Sequence, residues 1–242
     1  MADLRALVAA AGRGTRAGLP YPKTLFPIQG KPILVRIAEL LSPYDVQPTI
    51  IVSPDGDAQI QNCLVQYGVA SHLVVQPEAC GMGDAVSRLA QSPAFADAEH
   101  VLLMWGDVPF IQPETVATVV AAHREQGNDF TFATRLVDSA YTVVSRDTAG
   151  HVTQVIETRE EGVGHSQAGE RDIGLFVFRK TVVLDMLGEE LAGKWGKSTG
   201  EHGFLYVIGH LAARGYKVVA LPVATELDLV SLNSMKDIDA YM

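Results

Sequence analysis

The chain has 242 residues, 48% of them hydrophobic and 19% charged, which suits a globular protein with a sizeable core and excludes a disordered one. Nineteen basic side chains against 28 acidic ones leave a net charge of −9, which excludes a general nucleic-acid binder with its basic face. The charge is uneven: residues 1–36 carry six bases (Arg5, Arg13, Arg16, Lys23, Lys31 and Arg36) against Asp3 alone, so an anion site is expected near the N-terminus.

In chain order, apolar runs at 4–10, 49–53, 73–75 and 101–105 are predicted as strands. Helices are predicted between and after them, at 32–41, 57–67, 83–90 and 113–126. Runs this continuous in Val, Ile and Leu belong to a parallel sheet covered on both faces, so the expected fold is α/β, doubly wound and mostly parallel. Further on, strands are predicted at 130–134, 142–145, 174–178 and 216–221, and helices at 181–191 and 202–214. Residues 157–170 and 194–201, charged and glycine-rich, are read as loops. No linker or repeat divides the chain, which is taken as one domain over 1–242 with a smaller acceptor-side lobe.

Cys63 and Cys80 fit neither a metal nor a redox spacing, and a pair this sparse is no disulfide scaffold. No apolar run approaches the roughly 18 residues that span a bilayer, and 6–11 is too short for a secretory signal. A cytoplasmic protein without a membrane partner is expected. The seven histidines show no ligand spacing, so zinc is not expected.

In open α/β sheets ligands sit beyond the carboxyl ends of the strands. The segments 12–23, 53–57, 76–83 and 106–109 all fall there. The first, Ala9-Ala10-Ala11-Gly12-Arg13-Gly14-Thr15-Arg16, runs on to Pro22-Lys23. Its glycines allow backbone N–H groups to approach phosphate oxygens, and Arg13, Arg16 and Lys23 add positive charge. A tight turn with solvated arginines is the plainer alternative. A dinucleotide fingerprint through Gly12, Gly14 and Ala17 is a third reading, but it should run straight into a helix, whereas Gly18-Leu19-Pro20-Tyr21-Pro22 continues as loop. Lys23 also lacks the Gly-Lys-Ser/Thr context of a Walker A loop. A triphosphate-wrapping loop is favoured. Asp107, in Trp105-Gly106-Asp107-Val108-Pro109, is either a magnesium ligand or a turn residue; its place beside the glycine loop favours the metal. In Gln76-Pro77-Glu78-Ala79-Cys80-Gly81-Met82-Gly83-Asp84, Gln76 suits the edge of a base, and Gly81 and Gly83 permit close approach.

Together, L-V-A-A-A-G-x-G-T-R, P-K-T-L-F-P-I-x-G-K-P-I-L, Q-P-E-x-x-G-M-G-D-A-V and W-G-D-V-P-F-I resemble the sugar-1-phosphate nucleotidyltransferase family, and within it the N-acetylglucosamine-1-phosphate uridylyltransferase domains. The resemblance is close over 4–125 and collinear to about 235. It implies a Rossmann-like nucleotidyltransferase fold, with an NTP-binding half at about 1–130 and an acceptor-binding half at about 131–235. It implies attack of a phosphomonoester on the α-phosphate of an NTP, with pyrophosphate released. Catalysis would fall to Arg16, Lys23 and Asp107, and nucleotide binding to Ala10, Ala11, Gly12, Arg13, Gly14, Thr15, Gln76, Gly81 and Met82. Mg²⁺ would be held by Asp107 and Asn233.

The acceptor side departs from the hexosamine pattern. Gly-Tyr-Gly-Arg appears as Ala140-Tyr141-Thr142-Val143, Glu-x-Lys-Asp as Glu157-Thr158-Arg159-Glu160, and Asn-Thr-Gly as Asp172-Ile173-Gly174. Tyr141, Glu157, Arg159 and Asp172 are the expected acceptor residues, with Arg159 on the acceptor phosphate; an ion pair between Glu157 and Arg159 is the plainer reading. The sequence ends at Met242, so a hexapeptide-repeat domain and acetyl transfer are not expected. The substrates expected are a pyrimidine NTP, UTP or CTP, and a small phosphorylated acceptor, first a sugar 1-phosphate. Alternatives are a cytidylyltransferase for a phosphorylated alcohol, amide or phosphonate, a non-catalytic nucleotide sensor, and a dehydrogenase.

Overall fold

The computed structural model describes residues 3–12, 18–160, 168–238 and 241. The expected Arg13, Gly14, Thr15 and Arg16 therefore lie outside the described residues, as do 161–167 of the acceptor-side loop. The strands are β1 (Leu4–Ala9), β2 (Pro27–Ile28), β3 (Lys31–Pro32), β4 (Thr49–Val52), β5 (His72–Val75), β6 (His100–Trp105), β7 (Phe130–Val137), β8 (Thr142–Arg146), β9 (Val152–Glu157), β10 (Gly169–Arg179) and β11 (Val218–Leu221). The helices are α1 (Ile33–Leu41), α2 (Asp57–Gln66), α3 (Met82–Ser87), α4 (Pro113–Glu125), α5 (Lys180–Gly188) and α6 (Tyr206–Ala213).

Seven strands form one sheet in the order β11-β7-β10-β6-β1-β4-β5. Every neighbouring pair is parallel except the two that β10 makes with β6 and β7. Period-two alternation sends Leu4, Ala6 and Val8 to one face, where they meet Ile33, Leu34, Ile60 and Val116 of α1, α2 and α4. Leu7, Leu103 and Ile51 face the other way, onto α3, α5 and α6. There Phe130, Phe132, Phe176, Phe178 and Phe204 form an aromatic cluster with centroids 5.4–6.1 Å apart.

The doubly wound, mostly parallel sheet is the fold expected, and the second half completes it with β7, β10 and β11. Only the β8–β9 hairpin forms a separate sheet on that side. Three local expectations need correction. Gly169 and Glu170, read as loop, begin the long β10. The strand β9 was not expected, because its buried residues Val152 and Val155 are three apart and break the alternation. The helix read as 202–214 starts only at Tyr206, since 202–203 pair by backbone with the 80–83 turn: His202 N donates to Cys80 O (2.7 Å) and Gly83 N to His202 O (2.9 Å).

Candidate active site

The carboxyl ends of β1 and β6 are fastened together by Gly106, whose N–H donates to Ala9 O at 3.0 Å. A Cβ on Gly106 would lie 2.7 Å from that oxygen and 2.9 Å from the Thr24 methyl, so only glycine lets the three segments close. Lys23 opens a short 3₁₀ turn anchored by buried Thr24 and Phe26. Its ammonium donates to the Asp107 carboxylate in a partly buried ion pair. A Cβ on Gly12 would come within 3.0 Å of Lys23 Cε, so the glycine clears the lysine's path. The structure thus unites Gly12, Lys23 and Asp107, three of the sequence-derived residues. Ala10 extends the ladder, donating to Ile51 O at 2.9 Å.

The segment that carries Asn233 is brought to the Asp107 turn by a long-range backbone bond. Leu232 N donates to the Asp107 carbonyl at 2.8 Å, which seats the 231–233 segment on the Asp107 turn. Further back, the fully buried Asp228 carboxylate accepts from Gln112 N (2.6 Å) and Thr115 Oγ1 (3.0 Å) at the start of α4. It also takes Thr225 N (2.6 Å). This carboxylate caps α4 from 116 residues away in sequence. Asn233 Nδ2 donates to Ser231 Oγ at 2.9 Å.

Gln76 is buried, and its amide donates to Gly81 O (3.0 Å) and Asp84 Oδ2 (2.8 Å), closing the 76–84 turn upon itself. Gly81 has φ +101, and a Cβ there would lie 2.5 Å from His202 O; one on Gly83 would lie 2.1 Å from Gly203 O. The close approach that these glycines permit is therefore to the 202–203 backbone. Met82 begins α3 and packs against the aromatic-side core.

Among the residues expected to take the acceptor, Arg159 pairs with Glu157 (3.3 Å) and Glu160 (3.4 Å) and is 45% exposed, the geometry of the plainer reading. Burial raises the Glu157 carboxyl above its usual range, and the Arg159 charge opposes that rise. Ser198 N donates to Glu160 Oε2 at 2.7 Å, latching 194–201 onto this turn. Asp172, expected to face an acceptor, is fully buried, accepts from Thr142 Oγ1 (2.5 Å) and Gly174 N (3.1 Å), and ties β8 to β10. Burial raises its carboxyl. Tyr141, whose hydroxyl burial pushes up to about 12, lies against Arg171, whose guanidinium carbon stands 3.9 Å from the ring centroid. Arg171 was not expected from the sequence; its only signal, a base beside an acid in Glu170-Arg171-Asp172, is too common to decide anything.

Residues 6–171 match the MobA-like NTP transferase domain family. The chain belongs to that family. It is a nucleotidyltransferase domain by family, as the motifs led one to expect. The chain is 28% identical over 232 residues to the bifunctional protein GlmU of Heliobacterium modesticaldum, covering 95% of this chain and 49% of that one. With the Leifsonia xyli GlmU the identity is 30%, over 92% and 46% respectively. The chain thus spans about half the length of the curated relatives it matches. Among solved structures, a UDP-glucose pyrophosphorylase complexed with UDP-glucose superposes with a TM-score of 0.72 at 17% identity, covering all of this chain and 98% of that one. HddC from Yersinia pseudotuberculosis gives 0.69 at 18%, with the same coverage. At these identities the structures establish the shared fold.

For this NTP transferase domain the oxygen donors of Asp107 and Asn233 fit a divalent metal ion. Asp107 offers a carboxylate, and Asn233, with its amide N–H engaged by Ser231, keeps a carbonyl oxygen. Mg²⁺ favours one or two protein oxygens plus substrate phosphates. The other group of possible ligands among the described residues, Asp3, Glu99 and His100, lies at the opposite edge, where β1 and β6 begin. No described helix is long and apolar enough to cross a membrane.

Proposed function

We propose that the protein transfers a nucleoside monophosphate from a pyrimidine triphosphate, UTP or CTP, to a small phosphorylated acceptor and releases pyrophosphate. A sugar 1-phosphate is the first acceptor class, and a nucleotide sugar the product. The observation that carries this reading is the Lys23–Asp107 ion pair at the carboxyl edge of the sheet, with the Ser231–Asn233 segment docked on Asp107. A cation and a carboxylate set side by side beyond the strands suit a triphosphate and its metal.

In this reading the glycine segment, Arg13 to Arg16 included, wraps the triphosphate, and the 76–82 turn faces the base. Lys23 shares its charge between Asp107 and the phosphates. Mg²⁺, held by Asp107 and Asn233, would neutralise phosphate charge. An acceptor phosphate oxygen forms the new bond to the α-phosphorus, and the bond to the β-phosphate oxygen breaks, that oxygen leaving with the electron pair as pyrophosphate. The attacking phosphate is already anionic, so no general base is needed, and catalysis rests on positioning and charge. Residues 1–130 serve the nucleotide and 131–235 the acceptor, within one domain working in the cytoplasm.

A second reading, a cytidylyltransferase for a phosphorylated alcohol, amide or phosphonate, is favoured by one observation: the buried Thr142–Asp172 bond occupies the positions where the resembled family carries glycine and asparagine. Pyrophosphate release over a grid of triphosphates and acceptors separates the two. Turnover of UTP with a sugar 1-phosphate supports the first, turnover of CTP with a non-sugar phosphate or phosphonate supports the second, and no turnover with any pyrimidine triphosphate contradicts both. Stabilisation by NAD(H), without stabilisation by UTP or CTP plus Mg²⁺, would instead favour a dehydrogenase.

A further inference from the structure

A cavity of about 250 Å³ opens along the 229–233 segment, which is docked on the Asp107 turn through Leu232. Tyr141, Arg171, Ser231, Asn233 and Asp237 are among the residues that line it. Arg171 differs from most arginines of this chain. Arg88, Arg124, Arg146, Arg179 and Arg214 each hold a carboxylate within 3.2 Å, whereas Arg171 has no carboxylate salt bridge among the described residues. Its Nη2 donates to the Tyr141 hydroxyl and weakly to Leu229 O (3.4 Å). Its Nε is buried with no hydrogen-bond partner among the described residues. A guanidinium has five N–H donors in a planar fork, and a buried donor left unmade is costly. The Tyr141 ring lies against it, the guanidinium carbon 3.9 Å from the ring centroid. Asp237 forms no salt bridge with it among the described residues; its Oδ2 accepts from Ser234 N (2.6 Å), Asn233 N (3.1 Å) and Ser234 Oγ (3.2 Å).

Resting on the reaction proposed above, we infer that Arg171 receives the acceptor's phosphate or phosphonate group in this cavity, on the Tyr141 platform and facing Asn233. The ligand class is a monosubstituted phosphate or phosphonate, whose three oxygens suit an arginine fork. Arg159, already shared between two carboxylates on an exposed turn, does not take this part. Asn233, which lines the cavity, directly follows Leu232, whose N–H is bonded to the Asp107 carbonyl, so the cavity lies on the segment docked against the proposed triphosphate side.

Two measurements test this separately from the reaction. In thermal melts, inorganic phosphate and methylphosphonate should raise the Tm of the wild type and of Arg159→Gln. The rise should shrink in Arg171→Gln and return in part in Arg171→Lys, the ligand-free Tm of each variant serving as its own reference. In steady-state assays with whichever acceptor turns over, Arg171→Gln should raise the acceptor KM about tenfold to a hundredfold and leave the NTP KM unchanged. Absence of turnover in the wild type would overturn the reaction but leave the anion melts to decide on Arg171. Undiminished stabilisation of Arg171→Gln by both anions, or its loss in Arg159→Gln, would overturn the assignment.

Discussion

Lys23 and Asp107 are each the other's main partner, so neither can be changed without exposing the second. With Lys23→Gln, the phosphate side loses its fixed cation, and kcat/KM for the triphosphate should fall by about a hundredfold or more, read from initial rates of pyrophosphate release. Because the pair is partly open to solvent, the melting temperature should move little. Asp172 behaves in the opposite way. Its carboxylate is sealed between Thr142 and Gly174, so Asp172→Ala strands two buried donors and should cost about 2–4 kcal/mol in urea denaturation. Asp172→Asn, which keeps an acceptor oxygen, should cost less than half of that. Equal losses would mean that the buried carboxylate charge, rather than its hydrogen bonds, holds β8 to β10.

Turns, more than strands, decide how the site is assembled. The 76–84 turn was read as a surface aimed at a base, yet Gly81 and Gly83 are required first by the 202–203 backbone pressed against them. Gly83→Ala places a Cβ where Gly203 O stands, so the two segments must separate, at a cost of about 1–3 kcal/mol. The nucleotide KM should rise with that separation. Gly188→Ala, at the end of α5 with open space around it, should leave that KM unchanged, and a matching rise there would refute the coupling. The first half of the sheet was legible because strands buried on both faces write continuous apolar runs, each ended by glycine or proline. The second half was less so, because its contacts are between distant segments: Thr142 meets Asp172, Arg171 meets Tyr141, and Asp228 caps α4. No local pattern encodes such pairings. The register of β7, β8 and β10 has to be known before Arg171 can be placed beside Tyr141.

For the whole molecule, the two ends of the sheet serve different purposes. At the far edge from the site, His123 lies buried between Thr131 Oγ1 (3.0 Å) and His100 Nδ1 (3.0 Å). Burial, reinforced by the neighbouring His100, lowers its pKa from 6.5 to about 4. Between those values the unfolded chain takes up a proton that the folded one refuses. This contribution is therefore fully present above about pH 6.5 and lost as the pH falls towards 4, in total about 3 kcal/mol. Urea denaturation at pH 7, 5.5 and 4.5 should show the decline, and His123→Gln should flatten it; an unchanged slope in the variant would place the effect elsewhere. Among the described N-terminal bases, Arg5 pairs with Asp45 and Asp97, and Lys31 with Glu39; at the carboxyl edge, Lys23 is the one that meets Asp107, where a triphosphate and its metal are proposed to bind. The most direct test of that claim is pyrophosphate release as a function of Mg²⁺, with wild type and Asp107→Ala compared at equal folded fraction. The account predicts metal-dependent turnover of a pyrimidine triphosphate in the wild type and a loss of at least about a hundredfold in the variant; metal-dependent turnover surviving undiminished in Asp107→Ala would contradict it.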